Sequence, residues 1–151
     1  TLILLLRNNT SLMGPTVKNL LAVIAALVAG GIVVYGIEYF IHLLYPSPGD
    51  IDLSGHDSLK SYMRDVNEGS LALIILAHGL GAFTSGWVLG KLGVQNKHFL
   101  ALITGLILTL TGVLNLVVLP HPIWFSIADT CIYFPLTLLG LKFSEQMAKT
   151  T

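Results

Sequence analysis

Cysteine is almost missing from this chain: Cys131 is the only one in 151 residues. That excludes an intramolecular disulfide and any CxxC redox or zinc arrangement. Charge is scarce too. Asp, Glu, Lys and Arg together make up 11% of the residues, against roughly 25% in a soluble domain, so most of the surface is not built for water. Neither sign prevails, with eight basic residues against eight acidic ones, which leaves no basic face for nucleic acid. The chain has no glycine-rich nucleotide loop, no HExxH helix and no nucleophile–base motif. The familiar signatures of catalysis are therefore absent, and a non-catalytic protein is expected.

Apolar residues are abundant instead, at 54%, and they fall into four long runs. A helix needs about 20 mostly apolar residues to cross the hydrocarbon core, and spans are predicted at about 20–45, 70–92, 99–119 and 123–143. Pro46-Ser47-Pro48-Gly49 closes the first run, because proline lacks a donor and disfavours helix before it. Pro120-His121-Pro122 forces a reversal into the fourth. Pro135 lies within that run, where neighbouring helices can satisfy the carbonyl it frees. The expected fold class is an all-α membrane protein: an antiparallel bundle of four transmembrane helices in one domain over residues 17–151. Residues 1–16 read as an N-terminal extension, since Thr1 to Arg7 is too short to span and Met13-Gly14-Pro15 resembles a start.

Basic residues set the expected orientation. With both ends inside, Arg7, Lys18, Lys91, Lys97, Lys142 and Lys149 are cytoplasmic and only Lys60 and Arg64 lie outside. The first outer loop collects Asp50, Asp52, Asp57, Asp65 and Glu68. Its stretch Asp50-Ile51-Asp52-Leu53-Ser54-Gly55 echoes the start of a calcium loop, but Ser61 stands at the twelfth position, where a bidentate Glu is needed. An acidic hydrated loop is expected. Leu59, Tyr62, Met63 and Val66 follow it at amphipathic spacing, which predicts a short surface helix, with Asp57 as its N-cap.

Helices in lipid associate through close backbone approach and polar contacts. Four stripes at spacings of three and four residues suit this: Ala22, Ala26 and Gly30; His78, Ala82, Gly86 and Gly90; Thr104, Thr111 and Asn115; and Ser126, Asp129, Tyr133, Thr137 and Gly140. Ionisable groups within a membrane are costly and each suggests a site. Here they are Glu38, His42, His78 and Asp129, with Asn115 as a neutral companion. At about 1.5 Å per residue all five lie within about 12 Å of the outer ends of their spans. A proton or ion pathway needs polar stations through the full thickness; these sit on one side only. They suit an outward-facing pocket or an internal register-fixing network. Glu38 and His42, at i and i+4, can pair on one face, and His78 can reach Glu38 or Asp129 across the bundle.

No cofactor is expected from this set. The donors available to a metal are His42, His78 and Glu38; a haem held by both histidines, or a pigment or quinone held by one, are the weaker alternatives. His121, beside Trp124 and Phe125, suits the aromatic interface, and Cys131 suits a small apolar role.

Glu38-x3-His42 with Tyr45-Pro46, Ala77-His78-Gly79-Leu80-Gly81 leading into Gly86, and Asn115 with Leu119-Pro120-His121-Pro122-Ile123-Trp124-Phe125 resemble a widespread family of small, uncharacterised four-helix bacterial membrane proteins. The resemblance runs over nearly the whole chain from Met13. It implies bacterial inner-membrane placement and carries no activity or cofactor with it. The function expected is an accessory or assembly subunit of a larger membrane complex, whose partners are the lipid bilayer, other membrane subunits or a second copy. The alternative is a small transporter or a ligand- or metal-binding protein with a periplasm-facing pocket.

Overall fold

The computed structural model describes residues 13–46 and 56–150, and every regular element among them is helical. In chain order these are α1 (Pro15–Leu44), α2 (His56–Asp65), α3 (Glu68–Leu92), α4 (Lys97–Val118) and α5 (Ile123–Thr150). All but α2 are long and apolar enough to cross a membrane, and they correspond to the four runs read from the sequence. Outward-facing Leu, Ile, Val and Phe side chains, such as Leu20, Ile32, Leu114 and Ile127, cover them. Helix α5 is longer than the fourth apolar run, continuing past Phe143 to Thr150. Lys142, Glu145, Gln146 and Lys149 there are polar but favour helix, so the helix outlasts its hydrophobicity.

Local chemistry sets the ends. Pro15 opens α1 at its first position, where its missing donor costs nothing. Asn67 caps α3 by accepting from the Gly69 N–H at 2.7 Å. Asn96, in the left-handed region at φ 51°, caps α4, a conformation asparagine tolerates better than most residues. The Asn19 side chain ties the start of α1 to the α3–α4 link. It accepts from the Val94 and Gln95 N–H groups at 3.0 and 3.3 Å and donates to the Gln95 carbonyl at 3.1 Å.

The helices touch where side chains vanish. A methyl placed on Gly30 would lie 2.6 Å from the Gly81 carbonyl oxygen, and one on Gly81 would lie 2.9 Å from that of Gly30. With Asn19 near Gln95 and Glu38 near His78, residue numbers rise on α1 as they fall on α3. The contact between α3 and α5 is tighter. A methyl on Gly86 would fall on the Thr137 carbonyl, and one on Gly140 on the Phe83 carbonyl. Here numbers rise together, from His78 beside Asp129 to Gly90 beside Ser144, so α3 and α5 run the same way. Helix α4 lies against α5 through Gly105 and Gly112, which face Phe134 and Tyr133.

Three of the four stripes are buried as expected, including Ala22, Ala26 and Gly30 on α1 and His78, Ala82, Gly86 and Gly90 on α3. On α5, Asp129, Tyr133, Thr137 and Gly140 are buried, while Ser126 is half-buried and turns its hydroxyl back to the Pro122 carbonyl. The α4 stripe needs correction. Its buried face is Ala101, Thr104, Gly105 and Gly112, and Thr111 and Asn115 are exposed. The Thr111 hydroxyl donates to the Ile107 carbonyl one turn back, at 2.9 Å, and so needs no neighbouring helix.

Two apolar clusters close the ends of the packing. Ala22, Val23, Ala26, Leu89, Ala101 and Leu141 form one, near the Asn19 tie. Met63, Leu71 and Phe125 form the other, which seats α2 through its Met63 face. Helix α2 starts at His56, one residue ahead of the expected cap Asp57. The calcium-like stretch Asp50 to Gly55 and the extension up to residue 12 lie outside the described residues.

Candidate functional site

Helix α3 carries its histidine on the ridge that α1 and α5 both pack against, so one imidazole reaches both neighbours. His78 Nδ1 lies 2.5 Å from Asp129 Oδ1 and 2.9 Å from the Tyr133 hydroxyl; Nε2 lies 3.2 Å from Glu38 Oε1. The Tyr133 hydroxyl donates to Asp129 Oδ2 at 3.2 Å, across one turn of α5, and its ring stacks on the imidazole with centroids 5.6 Å apart. A neutral imidazole has one donor and an imidazolium has two. The imidazolium is the form that donates to both carboxylates at once.

The two carboxylates differ in setting. Asp129 is completely buried, whereas the Glu38 side chain is 34% exposed. Glu38 lines a cleft of about 590 Å³ between α1 and α4, with His78 and Tyr133 at its floor and Tyr35, Thr111 and Asn115 along its walls. The remaining lining is apolar, Leu27, Val34, Ile107 and Leu108 among it. The cleft exists because α1 packs on α3 and α4 on α5, with little contact between α1 and α4 themselves. A second cavity of about 260 Å³ begins where the cleft ends, sharing Glu38 and Asn115 with it. That vestibule runs under Met63 of α2 and past His42 to His121.

Glu38, His78 and Asp129 therefore come together, as cross-bundle reach from His78 predicts, and Asn115 stands at the rim. His42 does not join them: it is exposed, and Glu38 turns to His78 instead. Among the described residues no three His, Cys, Asp or Glu side chains converge in a way that could hold a metal ion, so His42, His78 and Glu38 do not assemble as a ligand set. Tyr133 is the site residue that sequence reasoning left in a packing stripe. Its signal was its place one turn after Asp129. Cys131 is exposed on the outer face of α5, away from these groups.

His121 lies in the link between α4 and α5, where its Nδ1 donates to the Leu119 carbonyl at 2.7 Å and its ring stacks on Phe125 at 4.5 Å. Burial pushes its pKa below the ordinary 6.5, outweighing the Leu119 carbonyl and Asp129, which act upward; His78 acts downward with burial. The folded state thus binds fewer protons at this ring than the unfolded state, so stability is full above pH 6.5 and falls as pH drops below it. The melting temperature of the wild type is expected to drop more between pH 7.5 and 5.5 than that of His121→Gln. Equal drops in the two proteins would refute this assignment.

Comparison with family models, curated proteins and solved structures finds no match for this chain. What can be said of function rests on the geometry.

Proposed function

We propose that this chain is a non-catalytic membrane protein that binds a small amphiphilic molecule in the cleft between α1 and α4. The observation that carries the proposal is the Glu38–His78–Asp129 chain of contacts at the floor of a 590 Å³ cleft with largely apolar walls. Ligand sites combine an apolar enclosure with a few convergent polar groups, and charged groups in a membrane face a site or a water-filled cavity. The accessory-subunit reading accounts for the small-residue packing but gives the cleft no role.

The proposed setting is an antiparallel four-helix bundle in a bacterial inner membrane, with both ends of the chain cytoplasmic. The basic residues support this: Lys18, Lys91, Lys97, Lys142 and Lys149 gather at the end where Asn19 meets Gln95. In that orientation α2 and the vestibule face outward, and a ligand enters sideways from the bilayer.

Gly31 offers the test. It lines the cleft, and a Cβ on it would meet nothing within 4 Å, so Gly31→Phe is expected to obstruct the cleft from a position whose first side-chain carbon touches no packed helix. Native mass spectrometry of the protein released from membranes is expected to show a small adduct on the wild type. The adduct should be lost from Gly31→Phe while the melting temperature holds. A wild type without an adduct, or a variant that keeps it, would overturn the proposal.

A further inference from the structure

We propose that the molecule held in this cleft is a lipophilic organic cation, a protonated amine or an onium group on an apolar body, with Glu38 as its counter-ion. The inference rests on the cleft being a ligand site and adds the chemical class of the ligand.

Charge counting within the cleft carries it. Its floor and walls hold Glu38 and His78, with Asp129 directly behind His78, and among the described residues no Lys or Arg lines it. An imidazolium between two carboxylates leaves one negative charge over. Asp129 has the shorter contact with His78, is wholly buried and accepts from Tyr133 as well. Glu38 has the longer contact and the partly exposed side chain. The surplus charge therefore falls on Glu38, at the one place where a bound molecule can reach it.

A cation answers that surplus, and the rest of the cleft suits its body. Tyr35 stands one turn before Glu38 and Tyr133 lies at the floor, and aromatic faces attract onium and ammonium groups. Leu27, Val34, Ile107 and Leu108 supply apolar walls. Among the described residues, phosphate or carboxylate headgroups find no cationic side chain in the cleft beyond an imidazole already committed to two carboxylates. A lipid of anionic headgroup is thereby disfavoured. A neutral amphiphile such as a quinone fits the apolar walls but leaves the Glu38 charge unanswered.

Tetraphenylphosphonium and tetraphenylborate, alike in shape and opposite in charge, make the test. Equilibrium dialysis of each against the detergent-solubilised full chain, corrected with empty micelles, should show saturable binding of the phosphonium at one per chain. The borate is expected to bind at least tenfold more weakly. Glu38→Gln should weaken phosphonium binding at least tenfold at an unchanged melting temperature. If that variant does not fold, the comparison of the two probes on the wild type decides alone. Equal binding of both probes, or phosphonium binding that survives Glu38→Gln, overturns the cation assignment. Decylubiquinone, a neutral amphiphile, separates the two levels of the proposal. If it binds and Gly31→Phe blocks it while the phosphonium fails to bind, the cleft is a ligand site for neutral molecules. If neither probe binds, the site reading falls as well.

Discussion

Gly86→Ala is expected to destabilise the folded protein by on the order of 3 kcal/mol, the upper part of the range for overpacking a close contact. The reason is what the new methyl meets. At Gly86 it falls on the Thr137 carbonyl, with the Leu141 nitrogen 3.0 Å away, and all of these atoms are backbone. A side chain can swing aside at small cost, but a helix backbone moves only with its helix. Relief therefore means sliding α5 away from α3 along a contact that Gly140 repeats from the other side, against the Phe83 carbonyl and the Trp87 nitrogen at 2.9 Å. Lipid supplies no hydrophobic drive to hold two helices together once their close fit is lost. Gly36→Ala is the matched control, because a methyl there meets nothing within 4 Å; it should gain about 0.5–1 kcal/mol from the lower entropy of the unfolded chain. Reversible unfolding in mixed micelles measures both. The contact between α3 and α5 loses its assigned role if Gly86→Ala and Gly36→Ala turn out equally stable.

The small residues also show how far the sequence alone could reach. A stripe of glycine and alanine identifies a face that packs, and it does so correctly on α1 and α3. It does not say which helix arrives there. The closest pair, α3 and α5, is separated in the chain by all of α4, and their parallel course follows from two reversals rather than from either stripe. Hydroxyls and amides mislead for a physical reason. Thr111 matches helical spacing with Asn115, yet its own Ile107 carbonyl satisfies it, and both residues end up along a cleft rather than against a helix. The same limit explains Glu38. Spacing of four residues allows it to meet His42, whereas the actual choice depends on the rotation of α1 against α3, fixed by Gly30 on Gly81 and invisible in one helix. The site residues were legible because charge is so rare in apolar runs, and so was the reach of His78 across the bundle; the preference of Glu38 for His78 over His42 was not.

Ser85 and Ser144 belong to the same lesson. Each is buried at a helix contact with a hydroxyl that has no hydrogen-bond partner among the described residues. Ser85 meets Gly30 and Ser144 meets Gly90, so each stands where a larger residue would not fit. An unmade hydrogen bond costs roughly 1–3 kcal/mol, and close approach of the helices outweighs it.

Removing the imidazole is the second substitution with a large expected effect. His78→Leu keeps the site filled and apolar while Asp129 loses its closest partner, at 2.5 Å. Breaking one side of a buried ion pair typically costs 3–5 kcal/mol, because the remaining charge stays out of water without compensation. Asp129 meets that condition fully, being wholly buried, and the Tyr133 hydroxyl is the one donor left to it in this group. A loss of about 3 kcal/mol is therefore expected in the same unfolding assay. Adding Asp129→Asn removes the stranded charge, retains a carbonyl that can accept from Tyr133, and should recover about 2 kcal/mol of the loss on the same reasoning. Hydrogen bonds between membrane helices usually couple by less than this, about 0.6 kcal/mol on average, since partners are also found in the unfolded protein. The larger value follows from charge and complete burial, which an ordinary hydroxyl contact lacks. Glu38→Gln supplies the contrast. Its side chain is partly exposed and its contact is longer, so its effect on stability should stay below about 1 kcal/mol, as exposed ion pairs do. The double variant being no more stable than His78→Leu would mean that Asp129 is held by something other than His78. A Glu38→Gln loss as large as that of His78→Leu would mean that Glu38 serves packing, and the cleft would lose the group that gives it a charge.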